Sequence, residues 1–154
     1  MTLADGAATV EALRARFPDA ITASGSFRDQ HWAEVRPERL IELGRFLRDD
    51  ATTGYKLLLD VTAVHWPDDA MPMEVVYHLY SPARNDRLRL KVRTGDRGPV
   101  PSVTGLWASA NWNERETFDM FGIVFEGHPD LRRILMPDDY TDYPLRKELP
   151  LFRG

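Results

Sequence analysis

Arg87-Leu88-Arg89-Leu90-Lys91-Val92-Arg93-Thr94 alternates without a fault. Leu88, Leu90 and Val92 point one way; Arg87, Arg89, Lys91 and Arg93 point the other. A β-strand turns successive side chains to opposite faces, so this octet reads as a strand with one dry face and one wet face. A strand wet on one side belongs to an antiparallel sheet, because parallel sheets are covered on both faces. Just upstream, Met73–Tyr80 places Met73, Val75, Tyr77 and Leu79 on one face, and Pro82–Asp86 joins the two strands as a hairpin turn. Tyr55–Val64 supplies a third strand, with Tyr55, Leu57, Leu59, Val61 and Ala63 expected on a common face. The basic row on the wet face is expected to meet Glu74 and neighbouring carboxylates across the sheet.

Helical spacing flanks these strands. Ala7–Phe17 sets Val10, Leu13 and Phe17 on one stripe, and Pro18 stops it. Ala20–Ser24 and His31–Val35 are strand candidates joined by a Gly-containing turn. Pro37 stands at the first position of a helix carrying Leu40, Leu43 and Leu47, which ends near Asp49 and Asp50. Ser102 is expected to cap a helix through Ala110. A further helix runs from about Asn111 to Phe121, with Gly122 in the left-handed C′ position. Beyond it Pro129, Pro137, Pro144 and Pro150 recur too closely for regular structure, apart from a short helical turn over Leu131–Met136. The expected fold class is α+β: a mainly antiparallel sheet with helices on one face (1–124), followed by an extended Pro-rich C-terminal tail (125–154).

Composition narrows the function. The chain has 154 residues, enough for one domain that folds without a disulfide or metal. Its net charge of −4 argues against nucleic acid as the main partner. With no cysteine, thiol catalysis and Cys-ligated iron–sulfur or zinc sites are excluded within this chain. No apolar run approaches the ~20 residues of a membrane span, and the N-terminus lacks the pattern of a secretory signal.

The stretch Trp112–Leu151 mixes dense charge with dense aromatics, as a buried protein–protein contact does. Fixing about 25 tail residues costs on the order of 25 kcal/mol of backbone entropy. The tail is nevertheless too apolar to be a disordered linker, with Leu131, Ile134, Leu135, Met136, Tyr140, Tyr143, Leu145, Leu149 and Leu151. The expectation is that it lies in a groove of another subunit, its prolines reducing the entropy lost on docking.

Three motifs in this stretch resemble one family. Glu-Arg-Glu-x-aromatic-Asp-x-aromatic-Gly-Ile stands as Glu114–Ile123, Gly-His-Pro-x-Leu-Arg-Arg-Ile-Leu as Gly127–Leu135, and Pro-Leu-Arg-Lys as Pro144–Lys147. In order and spacing they resemble the 30 kDa subunit of respiratory complex I, the NADH–quinone oxidoreductase. The resemblance implies a non-catalytic peripheral subunit at the cytoplasmic face of the cell membrane, held to the bilayer only indirectly through its complex. It implies a 49 kDa-type, hydrogenase-large-subunit-like partner next to the quinone site, and other peripheral-arm subunits. No cofactor is expected in this chain; flavin and iron–sulfur clusters belong to partner subunits. The implied contact residues on the helix are Trp112, Glu114, Arg115, Glu116, Asp119, Phe121 and Gly122. Those beyond it are His128, Pro129, Leu131, Arg132 and Arg133, then Pro144, Leu145, Arg146 and Lys147. Arg146→Glu is accordingly expected to spare the fold and block assembly.

Two other readings stay open. One is the equivalent subunit of a membrane-bound hydrogenase or ferredoxin-driven complex, since the chain does not reveal the electron donor. The other is a self-contained small enzyme using Glu114, Asp119 and His128 as acid–base groups. Against the second, a lone His beside Pro is more often a structural hydrogen-bonding residue. No Gly-x-x-x-x-Gly-Lys, Gly-x-Gly-x-x-Gly or Gly-x-Ser-x-Gly motif is present.

Overall fold

The computed structural model describes residues 6–28, 30–137, 139–140 and 142–146. In chain order these form α1 (Gly6–Arg16), β1 (Ile21–Phe27), β2 (Gln30–Val35), a 3₁₀ turn (Pro37–Arg39) and α2 (Leu40–Asp49). They continue through β3 (Leu57–His65), β4 (Met73–Ser81), β5 (Asp86–Thr94), β6 (Val100–Pro101), α3 (Ala110–Phe121) and β7 (Phe125–Glu126). Five strands make one sheet in the order β1-β2-β5-β4-β3. Its pairings are antiparallel except β2 with β5. That exception follows from connectivity. The chain leaves β2 through α2, builds β3 at the far edge and returns by hairpins, so β5 reaches β2 after a crossover.

The alternation in β5 is realised: Leu88, Leu90 and Val92 are buried with Met73, Val75, Tyr77 and Leu79 of β4. Leu13 of α1 and Leu40, Leu43 and Leu47 of α2 join them in one core. Gly44 lets α2 approach closely, since a Cβ there would lie 2.8 Å from Leu106 Cδ1.

Four expectations need correction. β3 does not keep one phase: a register shift between Leu58 and Asp60 inserts an extra residue. Leu58, Val61 and Ala63 therefore turn inward, while Leu57 and Leu59 are each 47% exposed. Gly25 is not the turn between β1 and β2. It sits inside β1 opposite Trp32, where a Cβ would lie 2.9 Å from the indole, and the turn residue is Arg28 with φ 51°. Residues 102–109 form turns, not a helix. Ser102 Oγ donates to Glu114 at 2.6 Å and accepts the Thr104 N–H at 3.2 Å, closing a local turn instead of capping a helix. Finally, β7 pairs in parallel with β6, and Phe125 is only 2% exposed. The folded unit thus runs past residue 124, into what the sequence presents as tail.

α3 lies along the free edge of β3. Ser109 Oγ donates to Leu58 O at 2.8 Å and Thr117 Oγ1 to Val61 O at 3.0 Å. These hydroxyls satisfy edge carbonyls that a strand partner would otherwise seek.

Candidate partner interface

The Glu114–Ile123 motif forms α3 and its exit. Gly122 (φ 79°, ψ 17°) closes the helix, its N–H donating to Phe118 O at 2.8 Å. A Cβ at Gly122 would lie 2.8 Å from the Tyr143 ring. The chain beyond Pro129 therefore returns over the end of α3, and only glycine leaves room for it.

Asp119 organises that return. It is fully buried. Arg133 Nη1 donates to its Oδ1 at 2.7 Å. The main-chain N–H groups of Ile134, Leu135 and Met136 donate to its Oδ2 at 3.2, 2.7 and 2.9 Å. Three successive amides around one oxygen make an anion nest, and they replace the short helical turn expected over Leu131–Met136. Burial works against the Asp119 charge, but Arg133 and the three amides outweigh it and hold the carboxyl below its ordinary pKa.

Further bonds continue the strap. Leu145 N–H donates to Met120 O at 3.0 Å. Arg146, itself buried, donates from Nε to Phe121 O at 2.7 Å and from Nη1 to Asp96 Oδ1 at 2.8 Å. Arg97 donates from Nε to Gly122 O at 2.6 Å and from Nη2 to the Tyr143 hydroxyl at 2.8 Å. The guanidinium carbons of Arg97 and Arg133 stand 4.7 and 4.8 Å from the Tyr143 ring centroid.

Glu114 lies five residues before Asp119 and is equally buried. Ser102 Oγ and the Val103 N–H donate to its two oxygens at 2.6 and 2.8 Å. No cation pairs with it among the described residues. Burial raises its pKa to about 7, with those two donors pulling the other way. The phenol of fully buried Tyr77 is pushed well up, by burial first and the Glu114 charge second.

His128 bridges the β7 exit to the start of α3. Its Nε2 lies 3.0 Å from Asn111 O, and its Nδ1 accepts the Asp130 N–H at 2.9 Å. The neutral ring with the proton on Nε2 satisfies both contacts. The hydrogen-bonding reading of this residue is the one the geometry fits.

The sixteen expected contact residues thus separate. Glu114, Asp119, Phe121, Gly122 and Arg146 are buried, and Arg133 nearly so, all engaged inside the chain. Their contacts are with this chain's own α3, β6 loop and strap. The acid–base reading loses its geometry here, because Glu114, Asp119 and His128 serve three separate sets of bonds. Trp112 (54% exposed), Leu145 (51%), Pro129 and Arg132 face outward. Arg115, Glu116, Leu131 and Pro144 are half-buried. Lys147 lies outside the described residues. Leu135, 53% exposed, joins the outward group. Asp96 and Arg97, which anchor the strap from a loop before β6, carry no signal in their local sequence.

Comparison with known proteins fixes the family. The family model for the respiratory-chain NADH dehydrogenase 30 Kd subunit matches residues 33–153. The chain belongs to that family. The corresponding NADH-quinone oxidoreductase subunit of Roseiflexus sp. (strain RS-1) is 50% identical over 148 residues, covering 96% of this chain and 85% of the relative. One from Rhizobium etli (strain CIAT 652) is 52% identical over 113 residues, 73% of this chain and 56% of that one. Among solved structures, the trypsin-resistant fragment of Nqo5 matches with TM-score 0.65 and 32% identity, covering 80% of this chain and 96% of that chain. A chain of the membrane-bound sulfane sulfur reductase, an archaeal respiratory membrane complex, matches with TM-score 0.79 and 26% identity, covering 95% and 86%. The chain is accordingly a subunit of the NADH-quinone oxidoreductase family. Among its described residues, no helix is long and apolar enough to cross a membrane.

Proposed function

We propose that this subunit is a non-catalytic scaffold of the peripheral arm, on the cytoplasmic face of the membrane. In this reading it binds the 49 kDa-type subunit beside the quinone site, while flavin and iron–sulfur clusters sit in partner chains. The observation that carries the reading is the outward set Trp112, Leu135 and Leu145 on a frame the chain itself holds. Large apolar side chains that stay exposed beside charged rims mark binding surfaces. A small groove of about 130 Å³ beside Leu145, lined by Glu116, Thr117, Met120 and Phe121, offers a recess for a partner side chain. The strap's own bonds pre-organise this surface, which lowers the entropy lost on docking.

The likeness to the sulfane sulfur reductase chain supports a second reading: the same scaffold in a hydrogenase-like or ferredoxin-driven membrane complex. The names of the 50%-identical relatives favour the NADH-linked assembly. Tagged purification separates the two by the partner chains recovered. The contact itself is tested with Trp112→Asp and Leu145→Asp together. The isolated variant should melt near wild type, and recovery of the 49 kDa-type subunit should fall about tenfold or more, since one lost hot spot of about 2 kcal/mol already exceeds that factor. Undiminished recovery would contradict the assignment.

A further inference from the structure

The open face of the sheet is unevenly charged. At one end of the β5 row Arg93 is ion-paired twice, with Asp69 at 3.0 Å and Glu74 at 3.4 Å. Lys91 stands over the Trp32 ring, its Nζ 4.3 Å from the centroid. At the other end, Arg87 and Arg89 have no ion pair among the described residues. Arg89 Nη2 donates only to the neutral Gln30 Oε1 at 2.5 Å, and its Nε–H is buried without an acceptor. The register sets His78 opposite Arg89 and Asp60 opposite His78, with Leu59 bulging beside them. Together they line a cleft of about 310 Å³. Burial first and Arg89 second hold His78 below its ordinary pKa, so the positive charge rests on the two guanidiniums. Against them the cleft offers one carboxylate, Asp60.

We propose that this end of the sheet is a second docking surface, receiving an acidic segment of a neighbouring subunit. Its carboxylates fork onto Arg87 and Arg89, and an adjacent apolar side chain rests on Leu59. Charge complementarity points to a peptide rather than a polyanionic surface. A short acidic segment meets only the two local cations, whereas a nucleic acid or anionic bilayer extends onto a chain whose net charge is −4. Planar guanidinium forks suit paired carboxylate oxygens, and Arg89, half-buried in the cleft, is better shielded from water than exposed Arg87. The cleft is lined from β2, β3, β4 and β5, and Asp60 also borders the groove beside Leu145.

The proposal rests on the reading that the chain works inside a multisubunit complex, and the test keeps the two separable. Arg87→Lys with Arg89→Lys places amines in the cleft of the assembled complex, where a zero-length carbodiimide joins amines to carboxylates. The expected product is a cross-link from Lys at these positions to an Asp- or Glu-bearing peptide of another subunit, located by mass spectrometry. In parallel, Arg87→Glu with Arg89→Glu should lower the amount of complex recovered on the tagged chain several-fold at low salt, the difference from wild type narrowing as salt rises and screens the charges. An assembled complex with cross-links only to Asp60, or none, overturns the proposal while leaving the assembly reading intact. A wild-type chain that recovers no partner removes both. Binding of the wild-type chain to phosphatidylglycerol vesicles or RNA that the glutamate pair abolishes, with no cross-link to another subunit, overturns it in favour of a polyanion.

Discussion

Glu114 and Asp119 are carboxylates on one helix, five residues apart and both fully buried, yet they titrate in opposite directions. Asp119 has a guanidinium and three amides, so its charge is the stable form. Glu114 has a hydroxyl and one amide, so burial prevails and its neutral form gains. Burial alone therefore does not say what a carboxyl does; the number and charge of its donors decide. Asp119 is an anchor around which the strap is built. Glu114 is a clasp between α3 and the β6 loop whose strength varies near neutral pH.

The largest expected effect comes from breaking the anchor. Asp119→Asn strips the charge facing buried Arg133 and leaves three amides with a weaker acceptor. Breaking a buried pair on one side costs about 3–5 kcal/mol, visible as a lower denaturation midpoint in urea. Because the folded-state pKa of Asp119 is depressed, its contribution is present above its ordinary value of 3.8 and is lost as pH falls through the folded value. Arg146→Glu should likewise destabilise the isolated chain by several kcal/mol, since it sets a charge against Phe121 O and Asp96. The sequence-based expectation that it spares the fold gives way to this geometry.

Next is the pH profile. The folded-state pKa of Glu114, about 7, lies above its ordinary 4.5. Between these values the folded chain holds the extra proton, so stability falls as pH rises through this window, by on the order of 3 kcal/mol from this group. Glu114→Gln mimics the neutral acid: its amide can donate to Ser102 Oγ while its oxygen accepts the Val103 N–H. Denaturation at pH 5 and pH 8 should differ less in the variant than in wild type. An equal difference would assign the slope elsewhere.

Gly122→Ala should cost about 1–3 kcal/mol, through a left-handed backbone and contact with Tyr143. The smallest effect is expected at the outward face: Trp112→Ala should change the stability of the isolated chain by no more than about 0.5 kcal/mol.

Regions of the fold differ in how legible they are. β4, β5 and α2 can be read from sequence because one periodicity governs each and the core agrees with it. β3 misleads because one inserted residue at Leu59 reverses the phase, and a bulge leaves no mark on hydrophobicity. The helix expected from Ser102 is absent: its hydroxyl closes a turn on the Thr104 N–H and donates to Glu114, twelve residues later. The strap is the clearest case. Its prolines and apolar residues suggest a ribbon waiting for a partner, whereas Arg133 and a nest of backbone amides tie it to Asp119. Backbone donors are invisible in side-chain patterns, so motifs that mark the family read as interface when several of them are internal fasteners. The family was legible; the fastening was not.

Amide hydrogen exchange on the isolated wild-type chain tests this most directly. The account predicts that the Ile134, Leu135 and Met136 amides exchange slowly without any partner and lose that protection in Asp119→Asn. Exchange at the rate of an unstructured peptide in the wild-type chain would contradict it.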